Sequence, residues 1–216
     1  MYPVIEAIIN ATRPKRYLEV GVWDGKHLLT VDAPDRTGID ILERPAGLDD
    51  GARYFAGNSH DVLTALSGEK FDMIFVDGLH HYKHCIKDIL LSVDVLAPGG
   101  VIVVHDVFPL DSPDEVSAVP RVSGEWTGDV WKVVPHVLCA WAGFQGYVVP
   151  EYPGYFVMWP TAFGLPVAVK WNLRDVDLNC EFPFDGVGID WARKNRHVFN
   201  VSNIEEVINE MNLRRF

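Results

Sequence analysis

Leu18-Glu19-Val20-Gly21-Val22-Trp23-Asp24-Gly25 is an apolar strand that breaks into an acidic, glycine-spaced turn. Working outward from it, acids recur at Asp40 and Asp77, each closing a later apolar run. Glycine alone lacks a Cβ and tolerates positive φ, so Gly21 allows backbone to approach a ligand and Gly25 can open a helix. Asp40 closes Thr37-Gly38-Ile39-Asp40, where an acid after the second strand of a doubly wound sheet accepts hydrogen bonds from a ribose diol. No GxGxxG is present to seat a pyrophosphate on a helix N-terminus, and Glu19 would repel two phosphates. The turn is better suited to a cationic nucleoside.

The pattern around this turn alternates between strands and helices. Val4, Ile5, Ile8 and Ile9 fall at helical spacing before Pro14, so a short helix is expected ahead of a first strand at Tyr17 to Val20. The runs Gly38 to Ile41, Phe71 to Val76 and Val101 to Val104 are continuous, as in parallel strands covered on both faces. Ile86, Ile89, Leu90 and Val93 repeat with helical period, and Pro98-Gly99-Gly100 is expected to end that helix and turn into the next strand, completing a right-handed crossover. Phe108 to Gly128 lacks periodicity and reads as a functional loop or lid. Helix is expected to resume at Val130 to Trp141, followed by an antiparallel pair at Tyr147 to Val149 and Tyr155 to Trp159. From Pro160 the chain is irregular and aromatic, with Trp171, Phe182, Phe184 and Trp191. It ends in a helix with a capping box at Ser202 and Glu205 and a stripe of Ile204, Val207, Ile208 and Met211.

Composition narrows the function classes. A chain of 216 residues is long enough for one buried core, so residues 1–160 are read as a cofactor-binding domain and 161–216 as a C-terminal elaboration packed on it. A formal net charge of −11 argues against nucleic acid or an anionic membrane as partner and favours a small molecule. Cys85, Cys139 and Cys180 form neither a disulfide framework nor a metal-binding CxxC spacing, which suits a reducing compartment. Met1 to Glu6 carries no basic and apolar leader pattern, and no apolar run reaches the roughly 18 residues of a membrane span, so a soluble cytoplasmic protein is expected. The 12% aromatic content would equally serve a homodimer face.

By Val76-Asp77-Gly78-Leu79-His80-His81-Tyr82 and Ala97-Pro98-Gly99-Gly100-Val101-Ile102-Val103-Val104-His105-Asp106, the chain resembles the class I S-adenosylmethionine-dependent methyltransferases. Within them it is similar to O-methyltransferases of the catechol and macrocin (sugar) types. The resemblance spans roughly residues 15–160 and is strongest through Asp106. It implies an α/β, Rossmann-like sheet of seven mostly parallel strands with an antiparallel final strand, S-adenosylmethionine as cofactor, and a hydroxyl of a small molecule as acceptor. Gly21 and Trp23 would line the methionine and ribose side, Asp40 would hold the ribose, and Glu19 would support the turn. Asn58, Ser59 and His60 would flank the adenine. Asp77 would lie near the sulfonium and, in metal-dependent members, hold magnesium with an acidic pair that here reads His105-Asp106. Magnesium prefers hard oxygen ligands whereas imidazole suits zinc, iron, nickel or copper. Asp77 and Asp106 with several waters, another divalent ion, or His105 bonding the acceptor without any metal are therefore all open.

Methyl transfer is an in-line displacement that also needs a base for the hydroxyl proton. His80 stands at the position of the catechol-type general base, and an unperturbed imidazole titrates near working pH. His105 and Asp106 would assist. His81 and His84 are read as solvated surface residues. Trp126, Trp131 and Lys132 are candidates for an acceptor wall or, equally, for core. Two rival readings are an NAD-dependent oxidoreductase on a similar sheet and a non-catalytic protein that keeps the cofactor pocket.

Overall fold

The structure is a computed structural model and describes residues 2–108, 126–141, 143–161 and 181–213. A seven-stranded sheet organises the chain in the order β3-β2-β1-β4-β5-β7-β6. The strands are β1 (Arg16–Val20), β2 (Asp35–Asp40), β3 (Ala52–Ala56), β4 (Phe71–Val76), β5 (Leu96–His105), β6 (Phe144–Val149) and β7 (Tyr155–Pro160). β1 to β5 pair in parallel, and β7 inserts antiparallel between β5 and β6. Val20 aligns with Ile39 on one side and with Val76 on the other, and Val76 aligns with Val104. That register brings Gly21, Asp40, Asp77 and Asp106 out along one edge, at the point where strand order reverses about β1.

Both faces of the sheet are covered. The helices are α1 (Pro3–Thr12), α2 (Lys26–Thr30), α3 (Ser59–Ala65), α4 (Tyr82–Asp94), α5 (Val133–Ala140), α6 (Ile189–Lys194) and α7 (Ile204–Asn212). Ile74, Val76, Ile102 and Val104 join Ile86 and Ile89 of α4 on one face, while Met73, Phe75, Val101 and Val103 join Ile5 and Ile8 of α1 and Val207 of α7 on the other. Successive strand side chains point to opposite faces, which explains why these central strands are apolar without alternation. The tail contributes to the same sheet, because Val148 of β6 bridges Val201 and Asn200 Nδ2 donates to the Gly146 carbonyl at 2.7 Å.

Several expectations shift. β3 pairs in parallel with β2 and leads into the strand-to-helix turn at Gly57-Asn58-Ser59, although Ala52-Arg53-Tyr54-Phe55-Ala56 carries little apolar signal of its own. Ile41 lies beyond β2 and is exposed. α4 ends at Asp94, and Pro98-Gly99-Gly100 falls inside β5 where the pairing with β4 shifts register, so the motif is a strand irregularity and not the helix stop. On α4 the buried face carries Asp88, whereas Leu90 is exposed. The cap of α7 is Asn203, whose side chain accepts from Glu206 N at 2.9 Å, while the Ser202 hydroxyl bonds the Glu206 carboxylate. Most of the expected loop (residues 109–125), Trp171 and Cys180 lie outside the described residues. Cys85 and Cys139 are free thiols. Among the described residues no helix is long and apolar enough to cross a membrane.

At the end of the sheet away from the strand-end acids, Glu69 joins β3 to β1. Its carboxylate accepts two hydrogen bonds from Arg53, both 2.8 Å, and a third from Arg16. Arg53 first, then Arg16, outweigh desolvation and hold the Glu69 pKa down at about 2 against an ordinary 4.5. A depressed carboxylate contributes stability that is present above its unfolded pKa and lost as pH falls through the folded one. Glu69→Gln should therefore cost about 1 kcal/mol at pH 7, as expected of a half-exposed network. In urea titrations the variant should also lose the part of the wild-type stability decline that falls between about pH 4.5 and 2.

Candidate active site

The glycine turn after β1 is held by contacts that only this sequence permits. Gly21 has φ of 90°, and a Cβ there would lie 2.0 Å from the Asp77 carbonyl oxygen, so the turn can approach β4 this closely only without a side chain. Asp40 pins the turn from the other side. Its Oδ2 accepts from the backbone amides of Val22 at 2.8 Å and Trp23 at 2.7 Å, and its Oδ1 accepts from Leu42 N at 2.9 Å. Carboxylate oxygens offer about four acceptor sites, so Oδ1 keeps capacity for a ligand hydroxyl.

A cavity of about 500 Å³ opens over these strand ends, with Gly21, Trp23, Asp40, Asn58, Ser59, Asp77 and His80 on its wall. Ile41, Leu42, Leu79 and Trp23 also line it, and Trp23 is 79% exposed and Ile41 73% exposed. Large apolar side chains left this open around a polar floor are suited to covering a flat ring. Glu19 points elsewhere. It is buried, and its Oε2 accepts from Tyr17 Oη at 2.9 Å and pairs with His27 Nδ1 at 2.7 Å, so it braces the turn from beneath. His60 is also off the cavity wall and stacks on His84, which does line it.

At one end of the cavity four titratable groups meet. His105 Nδ1 lies 3.0 Å from Asp77 Oδ1, and His80 Nε2 lies 2.9 Å from Asp106 Oδ2 and 3.7 Å from Asp77 Oδ1. Burial opposes ionisation of both carboxyls, but His105 and His80 outweigh it and hold Asp77 and Asp106 below the usual carboxylate range. Burial likewise pushes the imidazoles down, and the carboxylates reverse this, raising His80 to about 10 and His105 to about 9. His80 thus rests as an imidazolium near neutrality, unlike the free imidazole expected from sequence. Asp106 has φ of 62°, a strained conformation for a residue with a side chain, and it turns the carboxylate back over the strand end. His80 is fixed from behind. Its Nδ1 lies 2.6 Å from the Trp126 carbonyl, which accepts that N–H, and Gly128, at φ of 61°, packs so closely that a Cβ would lie 1.7 Å from the His80 carbonyl oxygen.

Residues 16–107 match the family model described as a methyltransferase domain. The fold is similar to that of solved methyltransferases. The S-adenosylhomocysteine-bound methyltransferase PaMTH1 of Podospora anserina is 22% identical, with 73% of this chain and 77% of that chain covered at a TM-score of 0.54. The O-methyltransferase TomG of Streptomyces achromogenes, solved with S-adenosylmethionine, is 18% identical, with 73% and 78% covered at 0.53. MycE of the mycinamycin pathway, solved with magnesium, S-adenosylhomocysteine and mycinamycin VI, is 15% identical, with 72% and 47% covered at 0.50. At such identities the likeness establishes the class I methyltransferase fold. None of the curated proteins matches the sequence.

In the segment after the matched region the structure decides between the acceptor-wall and core readings for Trp131 and Lys132. Trp131 is core, 1% exposed. Lys132 is buried and pairs with Asp129 at 2.9 Å, so it is no anion hook for an acceptor. Asp129 uses its other oxygen to accept from Tyr82 N at 2.7 Å, capping α4 from outside the helix. His84 is half-buried and not solvated; burial pushes its pKa down to about 4. Two further residues, Tyr2 and Tyr155, reach the cluster without a signal for it in the sequence. The His105 ring is held between Tyr2, at 4.8 Å between centroids, and Tyr155, at 4.9 Å, and burial followed by the Asp77 charge pushes the Tyr2 hydroxyl up to about 12. No local pattern marks Tyr2, since it reaches the site only because α1 packs beneath the sheet.

Proposed function

We propose that this chain is a cytoplasmic enzyme that transfers the methyl group of S-adenosylmethionine to a hydroxyl of a small molecule, a sugar or natural-product intermediate. Residues 1–160 bind the cofactor and 161–216 elaborate that unit. The observation that carries the reading is that one cavity is lined both by the Asp40-pinned turn and by Asp77 and His80, which pair with the buried His105 and Asp106 behind them. A nucleoside held at Asp40 would have its sulfonium near Asp77, where a carboxylate favours the cation. Trp23, Ile41 and Leu42 cover the nucleoside, and Asn58 and Ser59 flank the base. In the transfer, the acceptor oxygen forms a bond to the methyl carbon as the carbon–sulfur bond breaks, and the hydroxyl proton passes to Nε2 of His80 in its neutral form, so the rate should rise with pH toward the His80 pKa of about 10. The Nδ1–H donated to Trp126 fixes which nitrogen receives it, and Asp106 balances the imidazolium that results.

The cluster also fits a divalent ion. Donor atoms of Asp77, His80 and Asp106 all lie within 4.8 Å of one another, and Asp106 is buried. Asp77 and Asp106 are the residues that would hold it, and such an ion supplies Lewis-acid activation of the acceptor hydroxyl.

Calorimetric titration of S-adenosylmethionine and S-adenosylhomocysteine, with magnesium and with EDTA, tests the cofactor. Micromolar binding is expected, and Asp40→Ala should weaken it by at least about 100-fold, because charge-assisted hydrogen bonds of roughly 1.5–3 kcal/mol each are lost at the ribose and in the turn. An absence of binding in every condition would remove the reading, and tight NADH binding in its place would favour the oxidoreductase.

A further inference from the structure

We propose that His60, His84 and Asp88 form a second site, for one divalent transition-metal ion of the zinc type, in the floor beneath the base end of the cavity. His84 and Asp88 are four residues apart on α4 and share one face of that helix. α3 packs against α4 and brings His60 to the same face. Asp88 is 1% exposed, and neither of its carboxylate oxygens has a hydrogen-bond partner. The nearest cationic candidates are His60 Nε2, 3.4 Å from Oδ1, and His84 Nε2, 3.7 Å from Oδ2. Neither contact is a hydrogen bond, so the imidazole nitrogens and the carboxylate face a common space without bonding one another.

A buried carboxylate in this condition is costly unless a cation joins it. The two imidazoles stack with centroids 4.1 Å apart, an arrangement that two imidazolium rings would resist and two neutral rings accept. Neutral rings present lone pairs, so the group offers two nitrogens and one oxygen. That donor set suits zinc, cobalt or nickel and not calcium or magnesium. His84 Nε2 would give up its 3.1 Å hydrogen bond with Ser59 Oγ, which leaves that oxygen at hand for a fourth position. To bind, His60 Nε2 gives up only a 3.3 Å contact with the His84 carbonyl. Ser59 and His84 both line the cavity, so an ion here would tie α3 to α4 and stiffen the surface on which the base rests. This site is separate from Asp77 and Asp106 and does not depend on the methyl-transfer reading.

The test uses the full chain, stripped with a chelator and titrated with cobalt(II) and then zinc(II), with visible absorption and metal content as readouts. The expected result is an intense tetrahedral cobalt spectrum that zinc quenches. Asp106→Asn should keep one equivalent of this site, whereas Asp88→Asn should lose affinity by more than the ~100-fold that removing an outer-shell partner can cost. Thermal melting adds a sign that a merely structural residue would not give. Asp88→Asn should melt above wild type in chelator, where an unpaired buried charge has been removed, and below it in saturating zinc. His84→Gln provides the same affinity comparison if Asp88→Asn does not fold. Absence of binding, equal affinity in wild type and both floor variants, or a spectrum that only Asp106→Asn abolishes would overturn the proposal.

Discussion

His80→Gln should lower kcat by about 10²–10³-fold, within the range for loss of a general base, while the affinity for S-adenosylmethionine changes by less than about threefold. The separation follows from position. His80 lies at the Asp77 and Asp106 end of the cavity, whereas the turn pinned by Asp40 is formed by backbone amides that His80 does not touch. Glutamine keeps a polar group near the Trp126 carbonyl but cannot take up a proton. The measurement is single-turnover methyl transfer to the first acceptor found in a panel of sugars and phenols, beside calorimetry of the cofactor. An unchanged kcat would remove His80 from the chemistry. Gly128→Ala is the companion variant, because its Cβ would meet the His80 carbonyl oxygen at 1.7 Å and displace the ring without altering it. It should lower kcat while leaving cofactor affinity intact.

Gly21→Ala should destabilise the protein by about 2–5 kcal/mol, combining a positive-φ penalty of roughly 1–2 kcal/mol with overpacking of roughly 1–3 kcal/mol. It should also abolish detectable cofactor binding. The neighbour that the new methyl meets is backbone, the Asp77 carbonyl, and it cannot yield because β1 and β4 are laddered together up to Val20 and Val76. Relief must come from the turn itself, which would pull Val22 N and Trp23 N from Asp40. A urea transition and calorimetry read the two effects. A variant with wild-type stability that still binds would show that the turn does not sit against β4 as described.

Much of this fold was legible before the structure because its signals are local. The runs at Phe71 to Val76 and Val101 to Val104 announced strands buried on both faces, and the Gly21 turn with Asp40 and Asp77 marked the carboxyl ends over which the cavity opens. Asp77, His80, His105 and Asp106, named from their places after β4 and β5, do meet in space. The partners that set their chemistry were less visible. That His80 would hold its proton depends on two carboxylates brought by different strands, and the clamp on its backbone comes from Gly128, distant in sequence.

The sequence by itself determined the strand-and-helix alternation, the glycine turn after β1 and the acids that end its strands, because hydrophobic period and turn chemistry act over a few residues. Only the tertiary structure decided that Asp88 is buried, that His60 and His84 stack over it, that Lys132 belongs to Asp129 and that Tyr2 covers His105. A polar side chain on a helix looks the same in sequence whether it faces water or another helix. Its role is set when α3 docks on α4, or α1 beneath the sheet, since burial and the field of neighbouring charges arise from residues far apart along the chain.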